Sequence, residues 1–174
     1  EEGRYLYKPS HISFSDVIDP LLETYKEEIK RKGINFKINK PKDKLPLVAV
    51  DVEKIILVVQ NFLDNAMKYT QKKGNIIFSV FSDDKEIKVS IQDSGVGIPK
   101  DQQGRLFSKF FRAANVVRME TEGSGLGLFI CKNIVQVHEG KVWFESKEGE
   151  GSTFYFTLPI IGTKSKFEEF LKRL

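Results

Sequence analysis

The sequence predicts an α+β fold, a two-layer sandwich with helices packed on one face of a mixed β-sheet. Long segments with helical apolar spacing alternate with short strand-like runs, and hairpins dominate the expected strand pairing. With 174 residues, 40% hydrophobic and 11% aromatic, the chain is long enough for one well-filled core and short for two.

Phe14, Val17, Ile18, Leu21, Leu22, Tyr25 and Ile29 recur at helical spacing up to Lys32, and Gly33 is placed to stop that helix. Ile34, Phe36 and Ile38 then alternate with polar residues as in a half-buried strand. A Pro- and Lys-containing loop, 40–46, leads to a short strand over 47–50. Asp51 is the expected N-cap of a second helix reaching Tyr69. Two strands, 76–81 and 87–91, flank the polar turn 82–85 as an antiparallel hairpin. Residues 99–124 hold a short helical stretch and then a polar segment of the kind that often carries function. A third helix is expected from about Gly125 to Glu139, followed by a strand pair, 141–145 and 153–158, joined by the turn 147–151.

The net charge of +4 spreads over 28 basic and 24 acidic residues, without the arginine-rich blocks of a nucleic-acid footprint. The single cysteine, Cys131, excludes an internal disulfide, and no apolar run approaches the roughly 20 residues needed to span a bilayer. A soluble, intracellular piece is the expectation. The sequence opens at Glu1 without a methionine, as expected of a piece of a longer chain.

Four short segments carry the chemistry. Asn61, Asn65 and Lys68 lie at i, i+4 and i+7, along one stripe of the second helix, opposite the apolar stripe Ile55, Val59, Phe62, Leu63 and Ala66. Two amides and an ammonium suit an oxygen-ligated metal and phosphate, although such a stripe alone is more often a solvated helix face. Asp93-Ser94-Gly95-Val96-Gly97 follows a strand; its glycines permit close backbone approach, and a buried aspartate there is suited to accept from an exocyclic amine. Gly123-Ser124-Gly125-Leu126-Gly127-Leu128 opens a helix, where free N–H groups favour anions. No βαβ crossover with an acidic residue about 20 positions on follows it, so a dinucleotide fingerprint fits poorly. Gly149, Gly151, Ser152 and Thr153 form a third glycine-rich turn. In isolation these three turns read equally as an ordinary turn, a hinge and a hairpin.

Taken in order within about 90 residues, the four segments resemble the ATP-binding catalytic domain of bacterial sensor histidine kinases, in the superfamily shared with gyrase, Hsp90 and MutL ATPases. Asn61 to Thr70 resembles the family's N box, Asp93 to Gly97 its first glycine box, Gly123 to Leu128 its second, and Gly149 to Phe154 its last. Leu106 to Arg112 resembles the F box. The resemblance covers residues 14–160 and implies the Bergerat-type ATP-binding fold. It implies that Asn65 ligates Mg²⁺ through its amide oxygen, that Asn61 lines the same phosphate site, and that Lys68 neutralises phosphate charge. Asn61 and Lys68 are the residues to which it gives a part in catalysis. Tyr69 would pack near the nucleoside, and Asp93 would accept from the adenine amino group with help from Gly95 and Gly97, Thr153 holding the pocket's polar end. Gly123, Gly125 and Gly127, with Leu126 and Leu128, would wrap the phosphates at the base of a lid over 100–124. Phe107, Phe110 and Phe111 would anchor that lid, with Arg112 and Arg118 as phosphate contacts.

Gyrase-like members carry a glutamate one turn before the metal asparagine, where it activates water. Here that position is Asn61, and a neutral amide is no general base, so the site is set up to hold ATP for transfer rather than hydrolysis. In the resembled family the acceptor is a histidine on a separate dimerisation domain, and a response regulator receives the phosphoryl group next. The acceptor motif is absent from this sequence. His11 and His138 lack its context and are expected as a surface histidine or a helix-dipole partner. Glu1 to Arg4 resembles the end of dimerisation helices, which divides the chain into a linker end over 1–13, the ATP-binding domain over 14–160 and a C-terminal amphipathic helix over 161–174. Phe167, Phe170, Leu171 and Leu174 form that helix's apolar stripe. The implied parent is a homodimer with a cytoplasmic catalytic part, membrane anchorage being left open. An ATP-binding signalling module without phosphotransfer and a serine kinase of the anti-sigma type remain as alternatives. The F box and the Asn61 to Thr70 pattern favour the histidine kinase branch.

Overall fold

The computed structural model of the chain describes residues 7–115 and 123–161. Arg118, part of the expected lid, and the C-terminal stripe lie outside the described residues. In chain order the elements are β1 (Pro9–Ser13), α1 (Phe14–Arg31), β2 (Asn35–Asn39), β3 (Leu47–Asp51), α2 (Val52–Tyr69), β4 (Asn75–Ser82) and β5 (Glu86–Asp93). A 3₁₀ turn (Lys100–Arg105) follows, then α3 (Gly127–Val137), β6 (Val142–Lys147) and β7 (Gly151–Pro159).

Helical spacing decides both long helices. In α1 the residues Phe14, Val17, Ile18, Leu22, Tyr25 and Ile29 are all buried, and Gly33 ends the helix at φ +72°, a left-handed conformation suited to glycine. In α2 the Asp51 side chain accepts from the Lys54 N–H at 3.1 Å, capping the first turn. The stripe Ile55, Val59, Phe62, Leu63 and Ala66 is buried, which turns Asn61, Asn65 and Lys68 away from the core.

The main sheet has the order β2-β4-β5-β7-β6. Only β2 and β4 pair in parallel; the other three neighbours are antiparallel. Alternation sorts its faces: Ile76, Phe78 and Val80 of β4, Ile87, Val89 and Ile91 of β5, and Phe154, Phe156 and Leu158 of β7 are buried, while Lys88 and Gln92 are exposed. Phe62 clamps α2 to β7, its ring centroid 5.3 Å from that of Phe154 and 6.2 Å from that of Phe156. Truncating so buried a ring to alanine costs about 3–5 kcal/mol.

Two expectations change. Residues 9–13, read as linker, form β1, which pairs antiparallel with β3 in a separate two-stranded sheet; Ser13 Oγ donates to Leu45 O at 2.7 Å and fastens its end. His138, read as a surface histidine or a helix-dipole partner, is no surface residue: it is only 1% exposed and stands at the C-cap of α3. The Asp51 N–H donates to its Nε2 at 3.0 Å, so Nδ1 carries the proton and donates to Ile134 O at 2.8 Å. Burial lowers its pKa. His11 is exposed on β1, opposite Ala49.

Candidate functional site

The helical layer and the ends of the inner strands β5 and β7 enclose a cleft of about 260 Å³, near the lower end of the ~300–1,000 Å³ common for small-molecule sites. Asn61, Asn65, Lys68 and Tyr69 of α2 line one wall. Asp93, Val96, Gly97 and Ile98 form the end at β5, with Ser152 and Phe154 of β7 beneath. Gly123, Gly125, Gly127 and Leu128 close the opposite end at the start of α3, and Leu106, Phe111 and Arg112 cover the rim.

At the β5 end the decisive side chain is Asp93, 8% exposed. Its Oδ1 accepts two backbone N–H groups, from Gly95 at 2.8 Å and Ser152 at 3.3 Å. Its Oδ2 has no hydrogen-bond partner among the described residues, which leaves one acceptor atom unused on a residue that lines the cleft. Burial raises the carboxyl to about 6 and the two N–H bonds oppose that rise. The turn closes tightly: Gly97 adopts φ +63°, and a Cβ there would run into the Lys147 carbonyl. This is one of the positions where glycine is required.

At the α3 end the helix begins without a side-chain cap, so its first-turn N–H groups remain available to an anion. Gly127 lies so close to α2 that a Cβ would meet the Asn61 amide. The Asn61 and Asn65 side chains make no hydrogen bond among the described residues. Lys68 and Arg112 bring positive charge to this part of the lining. The cleft is thus polarised, a buried carboxylate at one end and amides, cations and helix N–H groups at the other. A hard cation that keeps oxygens of a phosphate ligand needs few protein donors. The free Asn65 amide oxygen fits that role, and no group of three or more His, Cys, Asp or Glu side chains able to hold a metal occurs among the described residues.

Most sequence-predicted site residues converge here, and five among the described residues do not. Thr153 is absent from the lining: strand alternation turns it to the far face of the sheet, and its neighbour Ser152 occupies the place expected of it. Gly95 acts through its N–H on Asp93 and not as a wall of the cleft. Leu126 caps α3 by backbone position alone. Phe110, expected to anchor the lid, is 72% exposed at φ +60°; its backbone, not its ring, abuts Gly125. Phe107 packs against Phe144 with centroids 5.9 Å apart, and Phe111 lies under the Arg105 guanidinium at 5.0 Å. Ile98 and Ala113 line the cleft outside every motif singled out in the sequence, and Val96, Ser152 and Phe154 lay within those motifs without a role of their own. Period-two alternation from Phe154 would have found Ser152.

Residues 50–161 match the family model described as histidine kinase-, DNA gyrase B-, and HSP90-like ATPase. The chain belongs to this ATPase family. It is 38% identical over 150 residues to the adaptive-response sensory kinase SasA of Synechocystis, covering 86% of this chain and 38% of that relative. It is also 38% identical over 135 residues to the sensor histidine kinase WalK of Bacillus subtilis, covering 76% of this chain and 22% of that one. The chain thus spans well under half the length of these relatives. Among solved structures, the nucleotide-free catalytic domain of histidine kinase ThkA superposes with a TM-score of 0.75 at 28% identity, covering 88% of this chain and 98% of that one. ThkA in complex with the response regulator protein TrrA gives 0.73 at 26% identity, covering 90% of this chain and 43% of that one. The mixed sheet with helices on one face is the α+β architecture expected. No described helix is long and apolar enough to cross a membrane.

Proposed function

We propose that the chain binds ATP with Mg²⁺ and donates the γ-phosphoryl group to a histidine on a dimerisation domain, from which a response regulator receives it. The observation that carries this reading is the polarity of one cleft, with the free Oδ2 of Asp93 at one end and Asn61, Asn65, Lys68 and the uncapped α3 at the other. Asp93 accepts from the adenine 6-amino group, and Tyr69 packs beside the nucleoside. The α3 N–H groups, Lys68 and Arg112 hold the phosphates, and Asn65 offers its amide oxygen to the metal. Mg²⁺, when bound, neutralises phosphate charge. In the transfer an imidazole nitrogen of the acceptor forms a bond to the γ-phosphorus as the bond to the β,γ-bridging oxygen breaks, and ADP leaves. Asn61 positions but takes no proton, so water is not activated. Membership of sensor kinases such as SasA and WalK in the set of relatives supports this branch over a serine kinase or a pure binding module. The nucleotide-binding unit includes β1, because that strand is hydrogen-bonded to β3. A homodimeric parent with this domain in the cytoplasm completes the proposal.

Equilibrium binding of ATP with and without Mg²⁺ tests the assignments. Asn65→Ala is expected to abolish the gain in ATP affinity on adding Mg²⁺ while leaving metal-free ADP binding within about twofold, the scale of a lost solvated contact. A chain that does not bind ATP, or an Asn65→Ala variant with the full metal response, overturns it.

A further inference from the structure

Four hydrogen bonds meet at a residue outside the cleft, Ser146 of β6. The Ile98 N–H donates to Ser146 Oγ at 2.9 Å, and Ser146 Oγ donates to Gly151 O at 3.1 Å. Ser152 Oγ lies 2.9 Å from it and fills the remaining lone pair as donor. The Ser146 carbonyl accepts from Gln103 Nε2 at 3.0 Å, and the same Nε2 also donates to Ile98 O at 3.0 Å. Ser146 and Gln103 therefore staple the exit of the Asp93–Gly97 turn to the β6–β7 turn.

That staple bears directly on Asp93. Ser146 pairs with Ser152 across the β6–β7 ladder, and Ser152 supplies the longer of the two N–H bonds to Asp93 Oδ1, at 3.3 Å. A bond of that length has little margin, and a shift of a few tenths of an ångström at Ser152 takes it outside useful range. Gly95 alone then holds Oδ1, and the carboxylate is free to turn about its single bond.

Resting on the base-recognition reading above, we propose that Ser146 is a positioning residue that fixes the orientation of the Asp93 carboxylate and so sets the preference for a 6-amino purine. Its effect falls on the base and not on the phosphate end, which is built from α2 and α3.

The test compares ADP with the diphosphate of purine riboside, which is ADP without the 6-amino group. In the parent chain ADP binds more tightly. Ser146→Ala is expected to reduce that preference about tenfold, the scale of one lost hydrogen bond to a charged group, with affinity for the purine riboside diphosphate nearly unchanged. Ser152→Ala removes the same link while keeping the backbone N–H, is expected to show the same loss, and serves as the independent variant should Ser146→Ala fold poorly. Ser146→Thr, which retains the hydroxyl, is expected to keep most of the preference. A general weakening of the structure lowers both affinities together and leaves their ratio intact. An unchanged ratio in the alanine variants overturns the inference alone; a parent chain with no preference for ADP overturns the base-recognition reading and the inference with it.

Discussion

Replacing Asp93 with asparagine is expected to make the domain more stable and to ruin the binding of adenine nucleotides. The carboxyl rises from 3.8 to about 6 on folding, a gap of about 2 pKa units, or about 3 kcal/mol at ~1.4 kcal/mol per unit. The sign follows from linkage: the folded state binds the proton more tightly, so this group's contribution is most favourable below about pH 4 and is lost as the pH rises through about 6. Near pH 7.5 the folded domain therefore carries a buried charge that asparagine lacks. Asn Oδ1 still accepts from Gly95 and Ser152, less strongly than a carboxylate, so a net gain of about 1–3 kcal/mol is expected. For a domain of this size that is a rise in Tm of about 2–12 °C. The amide nitrogen then faces the ligand, donor against donor, and ADP affinity falls by about 10–100-fold. Urea denaturation near pH 7.5 and near pH 4, with calorimetric titration of ADP, reads both effects. A variant less stable than the parent near pH 7.5, or a stability gain that fails to shrink toward zero near pH 4, would show that the buried Asp93 charge does not cost the fold stability.

His138→Ala is expected to destabilise the fold by about 2–4 kcal/mol, since it strands the buried Asp51 N–H and leaves a cavity, while the Ile134 carbonyl keeps the backbone N–H of residue 138; chemical denaturation measures it. Because burial depresses the His138 pKa, its contribution is present above the unfolded value near 6.5 and is lost as the pH falls below it, so the gap between parent and variant should narrow on acidification. Cys131 is fully buried and its thiol is pushed up to about 12, so a thiol reagent should label the native chain only as fast as it unfolds. Gly127→Ala should leave the fold intact, alanine being the better helix former. It should also push the Asn61 amide aside and weaken ATP binding about tenfold or more, with adenosine binding unaltered; calorimetric titration of both ligands decides.

The features legible in the sequence were those with a local cause. The stripes of α1 and α2 show in helical spacing, and the Asn61, Asn65 and Lys68 face follows from the burial of the opposite one. β1 was not legible, because Pro9–Ser13 carries no clean alternation and its partner β3 is supplied by the tertiary fold. Thr153 and Ser152 were exchanged for a related reason: a glycine-rich turn hides where the strand's parity begins, and one residue of slip reverses every side chain. Phe110 lies in a cluster of three phenylalanines, and nothing local says which of them takes the left-handed backbone that turns its ring outward. His138 and Ser146 act through contacts with Asp51, Ile98 and Ser152 that only the folded chain brings together.

If this cleft holds ATP as a phosphoryl donor, the γ-phosphoryl group must reach a histidine. Incubating the chain with γ-labelled ATP, Mg²⁺ and a dimerisation domain carrying an acceptor histidine measures that directly. Acid-labile, base-stable phosphohistidine is expected on the partner, strongly reduced in the Asn65→Ala variant. Release of labelled inorganic phosphate with no label on the histidine, from a chain that binds ATP, would contradict it.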